Sequence, residues 1–457
     1  MNSELPSVSI AEQLAARIAA LDAGRLPAAV RRKCEDLVID VAGLCVTARN
    51  GDYVTSAMAS LDDDGPCTAI GHARTLSAAG AAFINGTAAH GEDFDDTFEG
   101  GPVHTGAVIV PAVLAACERH RPDGAALLLG IAVGSEVMCR LSTVAPKAVH
   151  KAGFHPTAIF GTMGAAAGVG AALGLTAKQL VDALGIAGSM AGGIIEYLAE
   201  GAWTKRLHPG WAAQAGIRAA LLARAGYFGP RTVFEGVHGL FNGFAHTTHG
   251  DYNALIGDFG ARWVTETIGF KPYPCGTMAH PYIDCARRLA ARGVKPGDVR
   301  ELLCEVAEGT VHRLWEPLAS KQRPPNGYAA KFSTPFLLAT GFVRGSVGLD
   351  AFTEEAVRNE QVLALAQKVR YVIDPENPYP NGFTGHIRAF MTDGQVLEER
   401  QPHFRGGTSE PLTRADIEEK FALNARHGGW DGARVETALA LLAKLYDGPI
   451  DLTPLRR

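Results

Sequence analysis

The chain has 457 residues, 47% of them hydrophobic and 20% charged, with a formal net charge of −5. This length and apolar share suffice for a large buried core, and an acidic balance with no basic stripe argues against a nucleic-acid-binding surface. The 8 cysteines form no CxxC pair and no regular framework, which predicts reduced buried thiols and argues against an iron–sulfur cluster.

In chain order, residues 9–21 read as an amphipathic helix, with Ile10, Leu14, Ile18 and Leu21 at helical spacing. The N-terminal stretch MNSELPSVSIAEQLAARIAAL has no basic segment followed by an apolar core. No signal peptide is therefore expected, and the chain is read as cytoplasmic. Pro27 is placed to open a second helix bearing Val30, Cys34, Leu37, Val41 and Leu44, which Asn50-Gly51-Asp52 stops. Helices are expected over residues 76–90, 105–119, 124–141, 157–175, 177–188 and 210–225. Residues 156–177 are uncharged but only weakly hydrophobic because of their glycine and alanine content. They are read as a buried core helix, with no membrane span. The glycines of GTMGAAAGVG lack the spacing of a phosphate-binding loop and fit close helix packing instead.

The pattern changes near Lys271. A helix over residues 279–292 is followed by VRELLCEVAEGTVHRL, which alternates as a strand does, and then by VRYVIDPE and GHIRAFMTDGQVLEERQ. Thr392-Asp393-Gly394-Gln395 signals a hairpin. Residues 415–446 return to helix. The expected fold is mainly α: a large helical domain built from residues 1–269 and 404–457, with a smaller α+β lid domain, residues 270–403, inserted between them.

The chemistry concentrates in NGTAAHGEDFDDTFEGGPVHTGAVIVPAVLAACE, which gathers His90, Glu92, Asp93, Asp95, Asp96, Thr97, Glu99 and His104 between two alanine-rich runs. If the helix continues through Thr97, His90 and Asp93 lie one turn apart and Asp93 shares a face with Thr97, while Glu92 and Asp95 point elsewhere. Gly100-Gly101-Pro102 then breaks the element, and His104 stands at the mouth of the next helix. His155 precedes Pro156 at the start of another helix, where backbone N–H groups favour an anion. Lys205 and Arg206 precede His208 and a further helix start, where cations are misplaced unless they face an anion. Lys271 lies at the expected domain junction, and His280 on the helix after it. The acidic stretch matches no standard metal spacing, so no metal is expected. His246, His249 and Asp251 read as a solvated loop.

The run HGEDFDDT with His104 beyond it, followed in order by GFHPTAIFGTMGAAAG, TKRLHPGWAAQAG, GPRTVFEG, FKPYPCGTMAHPYID and AKFSTPF, resembles the MmgE/PrpD family. That family includes 2-methylcitrate dehydratases, cis-aconitate decarboxylases and iminodisuccinate epimerases. The resemblance covers nearly the whole chain. It implies a homodimer without cofactor or metal, and active-site positions matching Asp93, Thr97, His104, His155, Lys205 and Lys271. Asp93, His104, Lys205 and Lys271 are read as catalytic, and Thr97, His155, Arg206 and His280 as substrate-binding. The sequence departs from the decarboxylases at Gly276, where they carry a histidine. It also departs within KFSTPFLLATGF, where they use a tyrosine and this chain has phenylalanines. The expected function is acid–base catalysis on a small polycarboxylate, by β-elimination or hydration as in a 2-methylcitrate dehydratase. An epimerase or a decarboxylase would use the same carbanion chemistry, and a binding protein with a decayed site is the alternative outside enzymes.

Overall fold

A computed structural model describes residues 8–457 of the chain. The first seven residues, and with them the start of the stretch read as lacking a signal peptide, lie outside the described residues. The structure is mainly helical. Contacts divide it into two compact units, Met1–Ile268 with Thr413–Arg457, and Gly269–Leu412.

The first unit holds α1 (Ile10–Ala19), α2 (Ala28–Ala48), α3 (Asp52–Ala59), α4 (Ala78–Gly91), α5 (Gly106–His120), α6 (Gly124–Val144), α7 (Ala148–Lys151), α8 (Pro156–Ala172), α9 (Ala177–Met190), α10 (Tyr197–Glu200) and α11 (Thr204–Arg224). Their starts follow local chemistry. Ser9 and Glu12 close a reciprocal capping box on α1, and Thr176 and Gln179 close another on α9. Ser77 caps α4 and Asp123 caps α6. The core is a set of close crossings: α4 on α5 and α11, and α8 on α6, α9 and α11. Glycine makes these crossings possible. A Cβ on Gly168 of α8 would stand 2.6 Å from the Gly130 carbonyl oxygen of α6, and one on Gly210 of α11 would stand 2.2 Å from the Phe83 carbonyl oxygen of α4. The Arg414–His427 helix packs on α2, where Gly43 admits Phe421.

Three local expectations are corrected. First, α4 ends at Gly91, so Asp93 and Thr97 share no helix face. Thr97 instead opens the two-residue strand Thr97–Phe98. Second, α11 begins at Thr204 and runs through Pro209, so Lys205, Arg206 and His208 lie inside its first turns. Third, Asp64–Thr68 and Thr75–Leu76 form a short antiparallel pair in a stretch where no strand is predicted. Among the described residues α6 is long and apolar enough to cross a membrane, but 83% of its apolar window is buried inside the protein. It also holds the buried Glu136–Arg140 ion pair. Nearly all of α8 is buried, as read from its composition. All eight cysteines are free and buried.

The second unit is a four-stranded sheet in the order Val369–Ile373, Val299–Val306, Gly385–Met391, Val396–Gln401. The first pair is parallel and the others antiparallel, with Leu302 opposite Val369 and Ala389, and Ile387 opposite Glu399. The last two strands form the hairpin expected around Gly394, whose φ is 91°. The helices His280–Ala291 and Thr334–Arg344 pack together, the first also against both hairpin strands, over a core that includes Trp315, Phe336 and Leu302. VRELLCEV is a strand, but the following EGTVHRL is the helix Glu308–Leu314.

Candidate active site

In the first unit, four chain segments bring histidines and carboxylates together. α4 ends beside His90, and the chain leaves the helix through Asp93, whose φ of 57° is left-handed. Aspartate tolerates that region better than most residues, but the conformation is strained and recurs at functional sites. Lys205, in the first turn of α11, donates to Asp93 Oδ1 at 2.8 Å, with both side chains largely buried. The crossing of α4 and α11 through Gly86 and Gly210 sets this approach. A Cβ on Gly86 would meet the Gly210 Cα at 2.7 Å.

Asp95, read as pointing away, is a central group. Its Oδ2 lies 2.7 Å from His90 Nδ1, both side chains being fully buried, and its Oδ1 lies 3.8 Å from His104 Nδ1. His104 Nδ1 is also 2.6 Å from the carbonyl oxygen of Asp96. A carbonyl only accepts, so that nitrogen carries the proton and leaves Nε2 with the lone pair, an assignment made from the partner. His90 donates its Nδ1 proton to Asp95 by the same reasoning, and among the described residues its Nε2 has no hydrogen-bond partner. Asp96 faces the other way. Its carboxylate accepts from Thr105 N, Thr105 Oγ1 and Gly106 N and so caps α5. Burial and the neighbouring Asp95 push its carboxyl up to about 7 despite those donors.

His155 precedes Pro156 in extended backbone, the conformation that proline favours before it, and its N–H donates to Gly193 O. Its ring lies 5.8 Å from that of His90 and 5.3 Å from that of His208, with Tyr197 against both His155 and His208. The Nδ1 atoms of His155 and His208 are 3.1 Å apart, so one donates and the other accepts. Burial, then His90, His208 and Lys205, hold the His155 imidazole well below its ordinary range. Burial, then His90 and Lys205, push His208 down to about 4. Both rings are neutral at neutral pH. The result is a row of imidazoles, His104, His90, His155 and His208, flanked by the Lys205–Asp93 pair. Arg206 stacks instead over the Tyr53 ring at 4.4 Å.

In the second unit, Lys271 is 2% exposed and His280 fully buried. The His280 ring packs against Tyr273 and Phe404, with Nε2 3.2 Å from Cys275 O. Lys331 and Ser333 of AKFSTPF are buried in the same unit.

Among the described residues, His90, Asp95 and His104 are the one group with ligand atoms close enough for a metal ion, within 4.8 Å of one another. The Nδ1 atoms of the two histidines are engaged by the Asp95 carboxylate and by the Asp96 carbonyl oxygen. His246 and His249 are exposed and Asp251 caps the helix Tyr252–Ile256, as in a solvated loop.

Comparison with known proteins identifies the family of the chain. The MmgE/PrpD N-terminal domain matches residues 12–252 and the MmgE/PrpD C-terminal domain residues 273–443. The second match runs on into the tail helices, which by contacts belong to the first unit. Similar proteins include the cis-aconitate decarboxylase of Homo sapiens, 29% identical over 96% of this chain and 92% of that protein. The Mus musculus cis-aconitate decarboxylase is 32% identical over 76% of this chain and 71% of its own. The cis-aconitate decarboxylase-like protein oryM of Aspergillus oryzae is 27% identical over 91% and 90%. With both domains matched in order along most of its length, the chain is an enzyme that belongs to the MmgE/PrpD family.

Proposed function

We propose that the enzyme acts on a small tricarboxylate by cofactor-independent acid–base chemistry, eliminating or adding water as a 2-methylcitrate dehydratase does. The observation that carries this reading is the clustering of His104, His90 and His155 beside the Lys205–Asp93 pair. Elimination needs a base for the proton α to a carboxylate, an acid for the leaving hydroxyl, and positive charge where the enediolate develops. His104, with its lone pair on Nε2, and Asp93 supply the proton transfers. Lys205 supplies the charge, and an incoming substrate carboxylate competes with Asp93 for its ammonium. His155, neutral at a helix start, donates or accepts without adding a charge that would repel or trap a product. Thr97 and Arg206 are assigned to substrate contacts, and the active form is a homodimer.

Decarboxylation is the second reading, favoured by the relatives named cis-aconitate decarboxylases. Gly276 and the phenylalanines of KFSTPFLLATGF weigh against it. Epimerisation would share the carbanion and differ in its fate. Incubating the enzyme with a panel of di- and tricarboxylates, following solvent proton exchange by NMR and carbon dioxide release, separates the three. Dehydration or hydration products without carbon dioxide support the proposal. Carbon dioxide release replaces it with decarboxylation, exchange without net product with epimerisation, and neither with a binding role.

A further inference from the structure

The acid–base reading of His104 leaves Asp95 and His90 without a task, although both are fully buried and charged or titratable. A buried carboxylate needs partners, and this one is shared between two imidazoles. It binds His90 Nδ1 at 2.7 Å and stands 3.8 Å from His104 Nδ1, the nitrogen that carries the proton toward Asp96 O. A carboxylate behind the Nδ1–H of a base fixes the tautomer and stabilises the imidazolium formed when Nε2 takes a proton. His90 divides that carboxylate's attention.

We propose that Asp95 and His90 form a buried positioning pair that sets the proton affinity of His104, Asp95 raising it and His90 moderating the rise. The proposal rests on the reading of His104 as a proton-transfer residue. The titratable and charged groups around His104 are His90 from α4, Asp95 and Asp96 from the segment after it, and His155 at the start of α8, with Lys205 of α11 beyond, neutralised by Asp93. Neither Asp95 nor His90 is assigned contact with substrate, so neither is called catalytic.

The test uses the full-length enzyme labelled at histidine, with the His104 imidazole signal identified by its loss in His104→Gln and titrated by NMR. Asp95→Asn keeps an acceptor for His90 while removing the charge, and should lower the His104 pKa by about one unit or more. His90→Gln removes the competing imidazole and should raise it. The acid limb of the kcat/KM profile should move in the same opposite directions. A merely structural pair predicts loss of activity or of melting temperature with no movement of the His104 titration, and that result overturns the proposal. So does a shift of the same sign in both variants. If Asp95→Asn does not fold, the upward shift in His90→Gln alone decides. The NMR titration needs no substrate. Opposite shifts in an enzyme that turns over no polycarboxylate would therefore refute the functional reading and leave the pair standing.

Discussion

Asp93 combines a left-handed backbone with a lysine ammonium 2.8 Å away, and His104 pairs a fixed tautomer with a partly open ring. Neither side chain fills the apolar core. Asp93→Asn and His104→Ala should therefore lower turnover by on the order of a hundredfold to ten-thousandfold, and His104→Ala should keep a melting temperature near that of wild type. Early melting with near-normal turnover once folded would make the segment a structural hinge. His208 carries a prediction of the opposite kind. Its native pKa of about 4 lies below the ordinary imidazole value of 6.5. Between those values the unfolded chain binds a proton that the native ring does not, so stability falls as pH drops from 6.5 toward 4 and is unaffected above it. Urea unfolding of wild type across that window should show a slope steeper than that of His208→Asn by up to about 1.4 kcal/mol per pH unit. Equal slopes would mean that His208 is charged in the native state. Which residues carry charge and hydrogen was legible in the sequence, but their directions were only partly so. Extending the helix through Thr97 turned Asp95 outward, whereas the chain leaves the helix at Gly91 and folds it back onto His90. No propensity argument marks that exit, because Gly91 is needed for a tertiary reason: its Cβ would meet the Tyr53 hydroxyl at 2.1 Å.

The elements that hold the site cross where they are stripped of side chains. Glycine inside a helix costs on the order of 1 kcal/mol against alanine, so Gly130, Gly134, Gly164 and Gly168 must be offset by what they admit. On α6 and α8 they admit backbone: the Gly164 and Gly168 positions face the Gly134 and Gly130 carbonyl oxygens at 2.7 and 2.6 Å from a built Cβ. Gly168→Ala should thus destabilise by about 1–3 kcal/mol despite its better helix propensity, read as a lowered urea midpoint at unchanged m. A stabilised variant would show that the helices can separate freely. The glycine run was legible as packing because it lacked every phosphate-loop signature. The start of α11 was not, because Pro209 reads as a breaker. The helix accommodates it at its sixth position, and Gly210 beside it lets Phe83 O and Thr87 Oγ1 come within 2.5 Å of where a Cβ would be. Tertiary approach, absent from any local pattern, decides that boundary.

At the scale of the molecule, the segment between His90 and His104 is held in place by residues more than three hundred positions away. Lys420, on the Arg414–His427 helix, donates to the Phe94 carbonyl oxygen at 2.7 Å, pairs with Asp40 of α2 at 2.7 Å, and lies over the Phe94 ring at 4.0 Å. The tail thus closes the first unit's core and props the backbone between Asp93 and Asp95. Its helical character was legible from its pattern, but this ion pair was not, since nothing local in either segment names its partner. Lys420→Met removes one half of a buried pair and should cost on the order of 3–5 kcal/mol, because the Asp40 carboxylate loses the ammonium 2.7 Å away. Restoring compatibility with Asp40→Leu in the same chain should recover part of that loss, the double variant differing from the sum of the singles by about 0.5–3 kcal/mol. Turnover separates the two jobs of the lysine. If Lys420 also fixes the site segment, the double variant regains stability while its kcat stays depressed, because no donor reaches Phe94 O. Full recovery of both stability and kcat would reduce Lys420 to a core ion pair and leave the site segment holding its own shape.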